Sequence, residues 1–271
     1  MRKVVLHVAL ALGVLAAGPV IAQDAYPSKP LRILVPFAPG GGIDILGRTL
    51  DKKLTFDPIK DFVPVAPVAI GTMAFVVPPA LGVKTVAEFV ALAKKEPGKL
   101  NYGSPGNGTP HHLAMELFKQ RAGITLTHIP YKGSDGMMTG ILGGQISAVF
   151  MPIHQALTNV QAGRIVMLSA SGTKRSSATP NVPSLGEAAG IRDIDVDIWF
   201  GVYFPAATPK DIVTKLSTEI NAILKLPEVA ETLAKQGLQP TGGTPAELAD
   251  LTSSDLDRWA RVIRDANIRA D

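Results

Sequence analysis

Short apolar segments alternate with amphipathic segments along most of the chain, and this alternation predicts strands followed by helices. Apolar runs of strand length lie at residues 73–77 and 165–170. Segments with apolar positions at helical spacing lie at residues 111–122 and 135–142. Repeated strand and helix units predict an α/β fold with a parallel sheet flanked by helices. After Thr208 the helical pattern predominates.

Two of these units join strand to helix through a glycine-rich turn. The first turn, residues 36–42, has three consecutive glycines and precedes a helical segment that begins near Asp44. The second, residues 103–110, has further glycines, the hydroxyls of Ser104 and Thr109, and a proline at the helix start. Because glycine has no Cβ, backbone N–H groups can converge on an anion at a helix N-terminus. Both turns predict capture of an anion such as a small carboxylate. A tight turn that binds nothing is the alternative.

The amino terminus has the three-part pattern of a secretion signal. Arg2 and Lys3 form the positive region, residues 4–17 are apolar, and residues 20–22 have small or modest side chains before Gln23. A membrane anchor is the alternative, but the apolar run is short for a bilayer span and no cysteine follows to carry a lipid. The chain is therefore predicted to be exported and cut before Gln23.

The composition indicates a chain large enough for a folded core and excludes cysteine chemistry. With 46% hydrophobic and 18% charged residues, the 271-residue chain can form one large or two small domains. The formal net charge of +4 includes the two cations of the predicted signal, so nothing indicates a nucleic acid partner. The absence of cysteine excludes disulfides, thiolate metal sites and cysteine catalysis.

Two short motifs suggest other chemistry. Ser171 and Lys174 have the serine-x-x-lysine spacing of acylating hydrolases, which makes an exported serine hydrolase an alternative function. The companion lysine-threonine-glycine motif is absent, so this indication is weak.

His111 and His112 are adjacent and point in different directions from a helix, unlike a zinc pair. His111 is interpreted either as a cap or surface residue or as a ligand-facing one. We predict no catalytic residue, no metal and no cofactor.

Several segments together resemble the receptors of tripartite tricarboxylate transporters, also called Bug receptors. The matching segments are residues 26–30, 35–42, 56–62, 97–104, 130–133, 142–145 and 199–201. They extend over nearly the whole mature chain, and the combination is far more specific than either glycine turn alone.

The resemblance implies a periplasmic solute-binding receptor, not an enzyme, with a two-domain Venus flytrap fold. After a signal peptide of residues 1–22, the first domain is expected to contain residues 23–102 and 205–271, and the second residues 103–204. Such receptors close over a small carboxylate ligand and serve the membrane permease of a tripartite transporter. The chain is expected to be a monomer.

By position, the resemblance places ligand contacts in both glycine turns and in the wall of the second domain. In such receptors backbone N–H groups hold the ligand carboxylate, often with waters. The corresponding residues are Phe37, Ala38, Gly40, Gly41, Gly42 and Asp44 in the first turn, Ser104, Gly106, Asn107, Gly108 and Thr109 in the second, His111 at the helix start, and Lys132 in the wall.

The chain departs from the family pattern in its first domain. Relatives have a further strand, helix and strand after the first helix, whereas residues 51–58 follow it directly here. We expect a first domain shortened by some tens of residues, with sheet strands and one wall of the cleft missing. Ile43 also stands where these receptors commonly have Thr or Ser. A non-binding scaffold or signalling remnant of the family is therefore the main alternative function.

Overall fold

The computed structural model of the chain describes Asp57, residues 59–192 and residues 194–268. The predicted signal segment, the junction at residues 51–56 and the first glycine turn lie outside these residues. The same holds for the site residues predicted in that turn, which are Phe37, Ala38, Gly40, Gly41, Gly42 and Asp44.

The first sheet is antiparallel and has the order β7-β1-β8. Its central strand β1 (Phe62–Gly71) pairs with β7 (Ile198–Pro205) on one side and with β8 (Leu238–Pro240) on the other. A shift in the pairing with β7 follows each of the two prolines of β1, Pro64 and Pro67. Proline has no N–H to donate to the ladder, which explains why the regular pairing is interrupted there.

The second sheet has the order β4-β3-β5-β2-β6, because a parallel bridge between Tyr102 and Ala148 joins the pair β3-β4 to the strands around β2. Its strands are β2 (Met73–Val77), β3 (Asn101–Ser104), β4 (Thr127–Pro130), β5 (Val149–Pro152) and β6 (Val166–Ala170). Strand β2 is antiparallel to both of its neighbours, and β3 is parallel to β4. All strands of this sheet except β2 therefore run in one direction.

The expected parallel sheet flanked by helices is present only in part. The first sheet is antiparallel throughout, and β2 runs against the other strands of the second sheet. Strand β2 follows β1 through the single residue Thr72, so it enters the second sheet directly from the first.

Eight helices and one short 3-10 helix (Pro79–Leu81) lie among the described residues. The helices are α1 (Val86–Lys95), α2 (Pro110–Ala122), α3 (Ser134–Leu142), α4 (Ile153–Gln161), α5 (Leu185–Ala189), α6 (Lys210–Ile223), α7 (Pro227–Lys235) and α8 (Pro245–Asp265). Within this part of the chain, every helix is too short or too polar to cross a bilayer.

The larger apolar core covers one face of the second sheet. Phe75 in β2 is fully buried, and its ring centroid lies 5.0 to 5.2 Å from those of Phe89, Phe118 and Phe150. Each such aromatic pair adds about 0.5 to 1.5 kcal/mol beyond the burial of apolar area. A second apolar cluster, which includes the fully buried Met137 of α3, covers the other face. Helices on both faces make the second sheet an α/β layer structure.

The chain passes between the two sheets at two places. The first is Thr72, between β1 and β2, and the second is the segment from Ser171 to Asp197, between β6 and β7. Strand β2 and helix α1 belong to the layers of the second sheet. The predicted division into residues 23–102 with 205–271 and residues 103–204 stays a prediction.

Candidate functional site

The carboxyl ends of β3, β4 and β5 lie at one edge of the second sheet, because the three strands are parallel. Each strand leads into a helix, and the N-cap residues of α2, α3 and α4 are Thr109, Gly133 and Pro152. None of these residues caps its helix with a side-chain hydrogen bond. Three helix N-termini therefore lie along one edge, where the helix dipoles favour an anion.

The second glycine turn connects β3 to α2 at this edge. Gly106 has a φ of 145° and Gly108 a φ of 72°, which are backbone conformations that side-chain-bearing residues rarely adopt. The hydroxyl of Thr109 donates to the Gly106 carbonyl at 2.9 Å instead of capping α2. The first-turn N–H groups of α2 are consequently not used by the N-cap side chain.

Ser104 was predicted to contact the ligand, and the structure places it under the turn. Its side chain is fully buried. The hydroxyl donates to the Gly106 carbonyl at 2.9 Å, accepts from the Gly106 N–H at 3.3 Å and lies 2.7 Å from Nε2 of His128. These contacts use the one proton and both lone pairs of the hydroxyl. Ser104 therefore shapes the turn through its hydroxyl.

The loop between β4 and α3 is attached to the second turn. The N–H of Tyr131 donates to the Ser104 carbonyl at 2.9 Å, and the N–H of Gly133 donates to the Pro105 carbonyl at 3.1 Å. Lys132 lies between these two attachments and is exposed. The structure thus brings Lys132 next to the turn that contains Gly106, Asn107, Gly108 and Thr109.

His111 and His112 begin α2 and have different surroundings. Both ring nitrogens of His111 are buried, and neither has a hydrogen-bond partner among the described residues. Burial lowers the pKa of His111 to about 4. His112 accepts a hydrogen bond at Nδ1 from the Gly108 N–H at 2.9 Å. Burial, followed by the nearby His128 and Lys119, lowers the pKa of His112 to about 3. Both rings are therefore neutral at pH 7.

A largely buried set of polar side chains supports the turn, and we call it the turn cluster. Its members are Tyr102, Ser104, His112, Glu116, Lys119 and His128. The Tyr102 hydroxyl donates to the Glu116 carboxylate, and Lys119 Nζ lies 2.6 Å from the same oxygen. Burial and the charge of Glu116 raise the pKa of Tyr102 well above its usual range.

Sequence reasoning missed five members of the turn cluster, Tyr102, His112, Glu116, Lys119 and His128. A signal was present in α2, where Glu116 and Lys119 are spaced for an ion pair on a helix that is otherwise mostly apolar. Nothing in the sequence indicated that His128 lies opposite Tyr102 in the β3-β4 ladder.

A second polar set lies where the chain passes between the sheets, and we call it the crossing cluster. It contains Thr72, Met73, Ser171, Asp195 and Asp197. The Met73 N–H donates to the Ser171 hydroxyl at 2.7 Å, and this hydroxyl donates to the Asp197 carboxylate. Burial raises the pKa of Asp197 to about 7, against hydrogen bonds from Ser171, Thr72 and Met73 that lower it. The neighbouring Asp195 raises it further.

This geometry does not support a hydrolase built on Ser171 and Lys174. Ser171 is fully buried, Lys174 is exposed, and no hydrogen bond joins the two among the described residues. The described part of the chain also holds no group of three His, Asp or Glu side chains with the arrangement of a metal site.

A separate cleft of about 460 Å³ lies on the first sheet, between Pro67, Trp199 and Gly242. It contains none of the predicted site residues that the structure describes.

Comparison with known proteins extends over most of the chain. Residues 47–268 match the tripartite tricarboxylate transporter family receptor. The Cupriavidus necator protein named "UPF0065 protein in gbd 5'region" is 32% identical over 305 aligned positions, which cover 93% of this chain and 92% of that protein. An alignment of 305 positions is longer than the chain of 271 residues, so this chain lacks residues at some of them.

Two solved structures share the fold. The R. palustris protein Rpa4515 with adipate has a TM-score of 0.72 and 30% sequence identity over 83% of this chain and 75% of that chain. A structure described as a periplasmic transporter has a TM-score of 0.74 and 33% identity over 85% and 77% of the two chains. The chain therefore belongs to the tripartite tricarboxylate transporter receptor family, which has the periplasmic-binding-protein fold and consists of solute-binding receptors, not enzymes.

Proposed function

We propose that the chain captures a small carboxylate compound at the second glycine turn and presents it to the membrane permease of a tripartite transporter. The observation that carries the proposal is the position of three helix N-termini, without side-chain caps, along one edge of the second sheet. The solved structure of Rpa4515 with adipate, at 30% identity, supports a carboxylate as the ligand class.

In the proposed mechanism, backbone N–H groups of the first turn of α2 bind the carboxylate, because the N–H groups of Gly106, Gly108 and Thr109 already donate within the protein. Because the dipole of α2 adds partial positive charge at the same place, the site favours an anion without a buried cation. Lys132 is exposed beside the turn and attracts the ligand from solvent. His111 lies at the start of α2, with its neutral ring next to these donors.

Closure over the ligand is the second part of the proposal. The two sheets are joined at Thr72 and through residues 171–197, and a change of angle there opens and closes a cleft between two lobes. The first glycine turn, with Phe37, Ala38, Gly40, Gly41, Gly42 and Asp44, is proposed to complete the site from the other lobe. The protein is proposed to act as a monomer.

Export is the third part. The signal segment is proposed to be cut before Gln23 and the mature chain released into the periplasm. Intact-mass measurement of the protein from a periplasmic extract tests this directly. A mass that still includes residues 1–22 contradicts it.

A non-binding scaffold is the second candidate function, and the alignment favours it in one respect. The chain lacks residues at some positions of the Cupriavidus necator protein. If these positions belong to the cleft wall, the chain retains the fold of the family without its ligand.

Thermal unfolding of the mature chain against a panel of mono-, di- and tricarboxylates, including adipate, distinguishes the two functions. A ligand at a hundredfold excess over its dissociation constant stabilises the native state by about 2.7 kcal/mol, which raises the melting temperature. A selective rise supports capture of a carboxylate. A cooperative transition that no acid of the panel shifts contradicts the proposal and supports the scaffold.

The variant Lys132→Gln locates the binding site. Removal of an exposed cation beside the ligand weakens binding by about two- to fivefold. Lys84→Gln is the matched control, because Lys84 is also exposed but precedes α1 instead of lying beside the turn. Equal affinities of both variants place the ligand somewhere other than this turn.

A further inference from the structure

Gly106 and Gly108 are both held by histidines, which lie on different elements. His112 of α2 accepts the Gly108 N–H at Nδ1, at 2.9 Å. His128 of β4 acts through Ser104, whose hydroxyl lies 2.7 Å from Nε2 and bonds both the N–H and the carbonyl of Gly106. The backbone on either side of the turn is thus fixed by an imidazole, directly or through one hydroxyl.

The hydrogen bonds also determine which nitrogen of each ring carries the proton. His112 accepts at Nδ1, so its proton is on Nε2, which lies 3.9 Å from a Glu116 carboxylate oxygen. The single hydroxyl proton of Ser104 goes to the Gly106 carbonyl. Nε2 of His128 must therefore be the donor to the Ser104 oxygen. Each ring has one defined role.

The two rings are held together by stacking. The centroids of His112 and His128 are 3.9 Å apart with an angle of 20° between the planes, and His128 stacks on Tyr102 at 4.8 Å and 18°. Glu116 then ties Tyr102 to Lys119 of α2. This arrangement couples β3, β4 and α2, so neither glycine moves without disturbing buried contacts.

We infer that His112 and His128 are positioning residues for the ligand carboxylate. They hold Gly106 and Gly108 so that the start of α2 and its uncapped backbone donors keep one direction, without touching the ligand themselves. The inference rests on the proposed function and adds a layer of residues behind the ligand contacts. A turn that is fixed before binding loses less conformational entropy when the ligand arrives, which increases affinity.

Two variants of His128 test the inference with adipate as the probe. His128→Leu removes the donor to Ser104 and weakens adipate binding about tenfold, whereas His128→Gln retains an N–H donor and weakens it about threefold. Isothermal titration calorimetry gives the affinities, and thermal unfolding without ligand gives the stability of each variant. Equal affinities of His128→Leu and the wild-type chain overturn the inference.

Asn101→Ala is the matched control for a purely structural effect. Asn101 is on the same strand as Ser104 but at its other end, where its side-chain oxygen accepts the Ser147 N–H at 2.7 Å. This variant also loses hydrogen bonds and melts at a lower temperature, yet leaves the turn in place. A loss of adipate affinity in Asn101→Ala equal to that in His128→Leu shows a general destabilisation and overturns the inference.

Amide hydrogen exchange tests the support without any ligand. His112→Leu removes the acceptor of the Gly108 N–H and accelerates its exchange about tenfold relative to the wild-type chain, whereas His112→Asn retains an acceptor and has a smaller effect. Unchanged exchange in His112→Leu overturns the inference. If the wild-type chain binds neither adipate nor any other acid of the panel, the proposed function fails. The exchange of Gly108 then still decides whether the histidine holds the turn.

Discussion

Two polar clusters lie at the same edge of the second sheet and balance charge in opposite ways. In the turn cluster, the carboxylate of Glu116 has a Lys119 ammonium at 2.6 Å and a Tyr102 hydroxyl as donors. In the crossing cluster, Asp197 faces a second carboxylate, Asp195, and no cation of the described residues forms an ion pair with it. One cluster is neutralised within the fold, and the other keeps an unbalanced acid.

His111, at the start of α2, and Asp197, in the crossing cluster, have pKa shifts that make stability depend on pH in opposite ways. The pKa of His111 falls from 6.5 to about 4, so the unfolded chain binds a proton first as the pH falls, and stability decreases below about pH 6.5. The pKa of Asp197 rises from 3.8 to about 7, so the folded chain keeps a proton that the unfolded chain releases. Its contribution to stability therefore decreases as the pH rises from about 4 to 7.

This difference indicates separate roles for the two clusters. In the turn cluster, His112 is neutral at pH 7 and Glu116 is paired with Lys119, and the cluster supports the glycine turn from below. Asp197 instead changes charge near neutral pH at a place where the chain passes between the sheets. The variants below test this contrast. Glu116→Ala acts on the turn cluster, Asp197→Asn on the crossing cluster, and His111→Leu on the histidine that begins α2.

The largest effect is expected from Glu116→Ala. The variant leaves the ammonium of Lys119, whose side chain is only 17% exposed, without its carboxylate. Breaking a largely buried pair in this way costs about 3 to 5 kcal/mol. Urea unfolding at pH 7 measures the loss as a lower midpoint with an unchanged slope.

Glu96→Ala is the control for Glu116→Ala. Glu96 also pairs with a lysine three residues further on, Lys99, but at 3.8 Å and with side-chain exposures of 38% and 72%. An exposed pair contributes about 0 to 1 kcal/mol, so the control is expected to unfold nearly like the wild-type chain. Similar losses in both variants mean that Glu116 and Lys119 do not form a balanced buried pair.

The second prediction concerns Asp197→Asn in the crossing cluster. The amide keeps the shape of the carboxyl group but cannot lose a proton. Relative to the wild-type chain, the variant therefore gains stability as the pH rises from 4 to 7, at up to about 1.4 kcal/mol per pH unit and as much as about 4 kcal/mol in total.

Urea unfolding at pH 5, 6, 7 and 8 measures this change. Asp250→Asn is the control, because Asp250 is exposed on α8, away from the crossing cluster. Parallel stability curves for Asp197→Asn and the wild-type chain contradict a buried, unbalanced carboxyl at this site.

The local sequence predicted most of the secondary structure and the position of the second turn. The glycines of that turn and Pro110 mark the start of α2, because they meet backbone requirements that few other residues meet. Thr85 and Glu88 have the spacing of a capping box, but only half of it forms. The Thr85 hydroxyl accepts the Glu88 N–H at 3.1 Å, whereas the Glu88 carboxylate accepts the backbone N–H of Lys84 at 2.6 Å.

The roles of the two serines depend on contacts that sequence does not reveal. Ser104 and Ser171 each lie at or just after the end of a strand, and both are fully buried. Ser104 was predicted to bind the ligand, and the alternative hydrolase had Ser171 as its nucleophile. Their partners His128 and Asp197 are 24 and 26 residues away in the chain. Pairings of this range follow from strand order and register, which the hydrophobic pattern alone does not specify.

The smallest of the three effects is expected from His111→Leu, measured without ligand. At pH 7 the stability changes by less than about 1 kcal/mol, since the lost ring contacts oppose the removal of two buried nitrogens that have no partner among the described residues. At pH 5, His111 is protonated in the unfolded wild-type chain but neutral in the folded one, which lowers the stability of the wild-type chain. The variant has no such group and is therefore more stable by about 2 kcal/mol.

The double variant His111→Leu with Asp197→Asn makes the comparison complete. His111 begins α2, whereas Asp197 belongs to the crossing cluster, so their contributions are expected to add. The double variant therefore has a flatter stability curve between pH 5 and 7 than either single variant. Unfolding curves of all four chains at each pH measure this. If His111→Leu changes stability in the same direction with pH as Asp197→Asn, the histidine is charged in the folded chain. The two regions then do not respond oppositely to acid.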